Sequence, residues 1–294
     1  MKKIGISCNK IVGKYGIERG FEIIKRAGFD AVDFNLERYH KADSVYYKSD
    51  DEFESFFEFV KDKAREYELE ISQTHGLCAT YLPDDSEREA VVNRLCELDL
   101  RAASLIGSPA TVIHFINSTR WGVQPASVMR EVSSRMFDTI LPYAEKYKVK
   151  IAMETFGAAR VSGARIRDFF ADATEFKMQY DRLNTEYKTI CVDTGHTHEA
   201  ESFWVIPPEE MIRTLGKDVT LLHLHDNSGH WDDHLLPGMG NIKWDAVFDA
   251  LDDIGYSGVY NFELSLGFGG SMLDEWVGFI GKYLRRFVDG HGKV

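Results

Sequence analysis

Eight times along this chain an apolar, strand-like run gives way to a helix-like stretch, and six of the runs lead directly into a histidine, aspartate or glutamate. The apolar runs cover residues 3–8, 29–36, 69–74, 111–115, 150–154, 187–193, 219–224 and 258–264. Between them, helical periodicity covers about 16–27, 51–67, 87–106, 127–147 and 164–184, a short stretch opened by Pro207 and Pro208, then 244–254 and 273–288. Gly28 and Gly107 stand where helices of this kind stop. Strict alternation over this length predicts an α/β chain, a single-domain (β/α)8 TIM barrel spanning residues 1–294.

The polar ends of the runs favour a barrel over an open doubly wound sheet. Parallel barrel strands all point their carboxyl ends at one face, where the loops build a site. Here those ends read Gln73-Thr74-His75, Val112-Ile113-His114, Ala152-Met153-Glu154, Cys191-Val192-Asp193 with His196 one turn on, and Asn261-Phe262-Glu263. After the run at 219–222 come His223, His225, Asp226, Asp232 and His234 within a dozen residues. Imidazoles and carboxylates gathered at one end of a barrel are the donor set of a metal ion.

Composition narrows the partners. With 44% hydrophobic residues, seven prolines and no Ser/Gly-rich tract, the chain reads as one domain with a large core. A net charge of −12 repels polyanions at long range. Cys8, Cys78, Cys96 and Cys191 are scattered and form no C-x-x-C pair, and no amino-terminal apolar segment resembles a secretory signal. The expectation is a cytoplasmic protein with reduced thiols. No stretch approaches the ~20 uninterrupted apolar residues of a membrane span.

Three motifs are specific: Asp193-Thr194-Gly195-His196, His223-Leu224-His225-Asp226-Asn227, and Asp232-Asp233-His234 running into Pro237-Gly238-Met239-Gly240. In this order, with Glu154 before them and Glu263 after, they resemble the xylose isomerase-like barrels. That group takes in sugar phosphate isomerases and epimerases such as ketose 3-epimerases, inosose-processing enzymes, and the endonuclease IV type of apurinic-site nuclease. The resemblance implies one divalent ion held by Glu154, Asp193, His223 and Glu263, with Mn²⁺ favoured and Mg²⁺, Co²⁺ or Zn²⁺ compatible. It also implies that Glu154 and Glu263, across the barrel mouth from each other, move a proton next to a carbonyl through a metal-stabilised enediolate. His196 would then hold a sugar hydroxyl or the carbonyl. The implied substrate is a small sugar or sugar phosphate, and the implied assembly a homodimer or homotetramer. The same groups would also serve a dehydratase or lyase acting on a keto-sugar or keto-inositol.

One departure matters. Where ketose epimerases tend to carry an arginine ahead of the Pro-Gly pair, this chain has His234, with Asp232 two residues before it. Together with His75 and His114 these complete the nine-ligand set of the three-metal nuclease, so His75, His114, Asp232 and His234 are candidates for further metal or substrate contacts. The loops argue against nucleic acid as the substrate. Asp84, Asp85, Glu87, Glu199, Glu201, Asp226, Asp232 and Asp233 dominate them, and Arg120 and Arg160 are their conspicuous cations.

Plainer readings stand beside these. His75 and His114 taken alone fit core histidines equally well, His225 reads as a supporting residue, and His40, His198, His230 and His291 read as exposed loop residues. Glu154, Asp193, His223 and Glu263 are harder to dismiss, because carboxylates at buried strand ends are costly unless paired or metal-bound. Phe53, Phe56, Phe57 and Val60 form a core-facing helical stripe. Trp121, Phe156, Phe203, Trp204, Trp231 and Phe268 fall in loops at the ligand-bearing face, where they would stack on a sugar or pack loop against loop. The glycine-rich loop at 267–271 opens the last helix, a place where barrels bind phosphate.

Overall fold

The computed structural model describes residues 1–78, 85–114 and 123–293. Asp84, Phe115, Arg120 and Trp121, and the side chain of Phe268, lie outside the described residues.

Ten strands follow in chain order among the described residues: β1 (Ile4–Ser7), β2 (Ala31–Asn35), β3 (Glu70–His75), β4 (Ala110–Ile113), β5 (Lys150–Glu154), β6 (Ala158–Val161), β7 (Ala164–Arg167), β8 (Lys188–Asp193), β9 (Val219–His223) and β10 (Tyr260–Phe262). Eight of them form one parallel sheet in the order β10, β1, β2, β3, β4, β5, β8, β9. Its edges meet beyond the last formal pairings: Leu224 N–H donates to Asn261 O at 2.9 Å and Glu263 N–H to Leu224 O at 3.2 Å. The sheet thus closes into the (β/α)8 barrel that the alternation predicts.

Strand periodicity separates two cores. Ile151, Met153, Ile190, Val192 and Leu222 face outward into the main apolar core under the helices, whereas the alternate residues Ala110, Val112, Ala152, Cys191 and Leu221 pack together inside the ring. The outer helices follow from local signals. The helix Asp50–Glu66 starts at a capping box formed by Ser49 and Glu52 and buries Phe53, Phe57 and Val60. Ser86–Ile106 ends at Gly107, whose φ of 82° suits glycine. Among the described residues no helix is long and apolar enough to cross a membrane.

Two expectations fail locally. A short helix, Asn9–Tyr15, precedes Ile17–Arg26, and the two are separated by Gly16 at φ 79°. The helix expected over 164–184 begins only at Ala173, where Asp172 accepts hydrogen bonds from Thr174 N and Glu175 N. Its first four residues are instead the second strand of the antiparallel hairpin β6–β7, which pairs Val161 with Ala164. Ser162 and Gly163 make its turn at φ 50° and 85°, the two positive values a tight two-residue hairpin needs. Tertiary contacts hold this hairpin against the barrel mouth: Arg165 Nη2 donates to Glu199 O and Ser202 Oγ, and the Arg160 guanidinium lies 3.7 Å from the centre of the Trp231 ring.

Candidate functional site

At the carboxyl ends of the strands the polar residues converge. Glu154, the last residue of β5, is buried, with Oε1 2.7 Å from His223 Nδ1 and Oε2 2.5 Å from His114 Nε2. Glu263 Oε2 approaches the same His223 nitrogen at 3.4 Å. His75 Nε2 lies 3.3 Å from His114 Nε2 and 3.8 Å from Glu154 Oε2. Asp193 ends β8 and caps the next helix, Thr194–Ala200, by accepting from His196 N at 2.6 Å. That cap explains why His196 returns to the mouth one turn on, with Nδ1 3.7 Å from both Glu154 and Asp193 and Nε2 3.4 Å from Asp232.

These donors form four overlapping groups, each with candidate ligand atoms mutually within 4.8 Å: Glu154, Asp193, His223 and Glu263; His75, His114 and Glu154; His75, His223 and Glu263; and His225, Asp232 and His234. The first is the expected quartet. Glu154 and Glu263 do not face each other across the mouth. In the ring only β8 and β9 separate β5 from β10, and both carboxylates reach one His223 nitrogen.

Each of five histidines has one nitrogen occupied by the protein and the other turned inward. Nδ1 of His75, His196 and His234 donates to the carbonyls of Gly76, Thr155 and Glu263 at 3.1, 3.1 and 3.0 Å, and His114 Nδ1 lies 3.1 Å from Cys78 Sγ. His223 is reversed, with Nε2 3.0 Å from Asp33 Oδ2. Fixing the far nitrogen sets the tautomer and aims the remaining lone pair into the site, as in known metal centres.

His225 is more than a supporting residue. Two positions beyond His223, it returns by strand periodicity to the same side. Its Nε2 lies 3.0 Å from Asp193 Oδ1, and its ring stacks on His234 with centroids 4.0 Å apart. Gly195 makes room for it: a Cβ there would stand 1.9 Å from His225 Cε1. Gly195→Ala is therefore expected to displace the His225 ring and weaken divalent-ion binding at least roughly tenfold, the effect typical of disturbing a ligand's support; unchanged ion titrations would contradict this. Asp226 turns the other way. Its buried carboxylate accepts from Asn227 N, Ile242 N, Gly238 N and Trp244 Nε1, which folds the loop that presents Asp232 and His234. His234 itself sits at φ 49°, a strained backbone position for a non-glycine residue.

A family model described as xylose isomerase-like TIM barrel matches residues 21–267. The chain belongs to the xylose isomerase-like TIM barrel family. An uncharacterized protein of Sinorhizobium fredii is 26% identical over 84% of this chain and 81% of its own length. The solved structure of an L-ribulose 3-epimerase superposes with a TM-score of 0.75 at 15% identity, over 99% of this chain and 95% of that one. That of the IOLI protein with a bound zinc atom gives 0.75 at 15% identity, over 98% of both chains.

In this xylose isomerase-like barrel the charges of the site lean on one another. Burial alone would raise the Glu154 carboxyl, but the His114 and His223 charges hold it well below the usual range. Asp193 is held down against its burial by His196 and His225, Asp232 strongly so by His196 and His234, and Glu263 by His223, His75 and His234. In return His114, His196 and His223 are raised well above an ordinary imidazole despite desolvation. Burial would lower His234 too, yet its bond to Asp232 and the charges of Asp232, Glu263 and Asp193 bring it up to about 10.

Around this xylose isomerase-like centre, Phe156 lies over His196 with rings 8° from parallel and 6.3 Å apart. Trp231 carries Arg160, Phe203 carries Arg165, and Trp204 is exposed. The glycine-rich loop is part of the 3-10 segment Leu266–Met272, where Lys14 Nζ donates to Gly270 O at 2.7 Å. His40 and His198 are not free loop residues: His40 Nε2 lies 2.9 Å from the buried Asp99, and His198 bonds Glu201 and Asn241. Sequence reading missed Asp33, Gln73 and Asn261, which lie buried beneath His223. Their signal was a polar residue repeatedly interrupting an apolar strand run.

Proposed function

We propose that this chain is a divalent-metal-dependent isomerase or epimerase of a small sugar or sugar phosphate, working by proton transfer next to a carbonyl. The observation that carries the reading is the quartet Glu154, Asp193, His223 and Glu263, whose donor atoms lie within 4.8 Å of one another. Three carboxylates and one imidazole suit Mn²⁺, Mg²⁺ or Co²⁺, and the imidazole-richer group of His75, His114 and Glu154 suits Zn²⁺. The likeness to an L-ribulose 3-epimerase and to a zinc-bound barrel supports both parts. Held by these four residues, an ion would supply positive charge to stabilise the charge of an enediolate.

The chain's own residues divide the remaining work. Glu263, with 22% of its side chain exposed against 1% for Glu154, is the carboxylate open to substrate and the first choice as the base. Glu154, pinned between His114 and His223, holds the centre together and, taking a proton from the adjoining His114 Nε2, would pass it to the substrate carbon. His196 Nε2 faces the mouth and donates to or accepts from a sugar oxygen. Phe156 keeps water from the reacting carbon. The scattered free cysteines fit a cytoplasmic enzyme.

A second reading has its own support, since the groups built on His75 with His114 and on Asp232 with His234 offer room for further ions. It would place a phosphodiester on a multinuclear centre; the net charge of −12 disfavours a nucleic-acid substrate. Ion content by plasma mass spectrometry, on chain purified without chelator, separates the two. About one ion per chain, unchanged by His75→Ala and Asp232→Ala, is the expected result under the single-ion chemistry of the quartet. Incubating that protein with a ketose panel in D2O should put deuterium into recovered sugar without loss of water. Two or three ions that those substitutions remove, with no exchange into any sugar, would sink the isomerase reading.

A further inference from the structure

Asp33 stands in the middle of β2, fully buried inside the barrel one layer below the site. Burying a carboxylate is costly unless a cation or several donors meet it. Among the described residues no lysine or arginine does, and the ring that meets it is His223, whose Nε2 lies 3.0 Å from Asp33 Oδ2. Two amides complete the layer, Gln73 Nε2 at 3.4 Å and Asn261 Nδ2 at 3.5 Å from the same oxygen. Gln73 Nε2 also lies 2.9 Å from His223 Nε2, and its own Oε1 is buried without a partner, so a turn of the amide offers that ring nitrogen a second acceptor. Room for the Asn261 amide comes from Gly5, its partner in the β1–β10 register, where a Cβ would stand 2.7 Å from Asn261 Oδ1. Polar side chains of three other strands, β2, β3 and β10, thus gather at one imidazole edge. For packing alone, apolar side chains of similar size would serve as well or better.

We infer that Asp33 is a positioning residue: its carboxylate accepts the His223 Nε2–H, fixes that tautomer and ring orientation, and so presents the Nδ1 lone pair to the space between Glu154 and Glu263. The inference rests on the reading of the quartet as a metal site. Four other site histidines are held by carbonyls or a thiol, whereas His223, the sole imidazole of the quartet, is held by a charge. An anionic partner makes the imidazole a stronger donor than a carbonyl does.

The test uses the full chain, stripped with chelator and titrated with Mn²⁺ and with Zn²⁺ by calorimetry. Asp33→Ala should weaken binding about 10- to 100-fold, and Asp33→Asn, which keeps an acceptor without the charge, should fall between the two. Long-range ¹H–¹⁵N spectra of the stripped protein, taken at a pH alkaline enough for the His223 ring to be neutral, add a readout that packing would not move. His223 Nε2 should carry its proton in the wild type and in Asp33→Asn, and exchange tautomers in Asp33→Ala. Should the alanine variant fail to fold, the asparagine variant decides alone. Folded variants that bind both ions within about twofold of wild type, with the His223 tautomer unchanged, overturn the inference while leaving the metal site standing. A wild type that binds neither ion overturns the metal site, and this inference with it.

Discussion

Glu154→Gln is expected to abolish turnover and release bound metal, whereas Glu263→Gln loses turnover but keeps much of the ion. Glu154 is buried to 1% and contacts His223 at 2.7 Å and His114 at 2.5 Å. Removing its charge leaves two imidazoles, both raised by it, facing a neutral amide in a buried site. Breaking one partner of such a buried pair costs about 3–5 kcal/mol, so a lower melting temperature should accompany the lost metal. Glu263 makes a single 3.4 Å approach to His223, so its loss disturbs the structure less. Loss of general base catalysis there should lower kcat roughly 10²- to 10⁴-fold with little change in KM. Calorimetric melts, ion content and turnover on a responsive sugar would separate the two variants. A Glu154→Gln protein that retains ion and activity would refute the arrangement.

Chelation is expected to lower the melting temperature, and by more as the pH rises. An ion present at about a thousandfold its dissociation constant stabilises the fold by about 4 kcal/mol, roughly 10 °C for a chain of this size. The sign of the pH effect follows from the imidazoles. His114, His196, His223 and His234 are raised above their unfolded value, His234 to about 10. Their ion pairs therefore support the stripped protein fully below about pH 6.5, and that support fades as pH climbs through the raised values. The depressed carboxylates Glu154, Asp193, Asp232 and Glu263 act the other way, supporting the fold above about pH 4.5 and losing it as pH falls. Metal binding needs the imidazoles deprotonated, so uptake releases protons and tightens toward alkaline pH. The gap between loaded and stripped melts should be small near pH 5 and widest near pH 9. Equal melts at pH 9 with and without chelator would refute a bound ion.

The strands were legible because each apolar run alternates between a core under the helices and a core inside the ring, a period-two pattern written directly in the residues. The ligand-bearing ends were legible for a related reason: a carboxylate or imidazole following Met153, Val192 or Phe262 has no cheap place in an apolar core. The hairpin β6–β7 was not. Its residues 164–167 carry no period that separates strand from helix, and it is held by Arg165 reaching Glu199 and Ser202 and by Arg160 on Trp231, contacts distant in sequence. His40 was misjudged as exposed because its partner, Asp99, lies 59 residues away. Asp226 looked like a ligand until the loop closed over it with four donors.

The sequence by itself determined the barrel and the face on which carboxylates and imidazoles gather, since local periodicity sets strand and helix and parallel strands share one carboxyl end, whereas singling out Glu154, Asp193, His223 and Glu263 among those residues took the family resemblance. Only the tertiary structure decided that Glu154 is enclosed while Glu263 is open, that His225 joins the site, and that Asp33 lies behind His223. Those facts depend on how residues 32 to 190 positions apart in the chain come side by side, and no spacing along the chain encodes that distance.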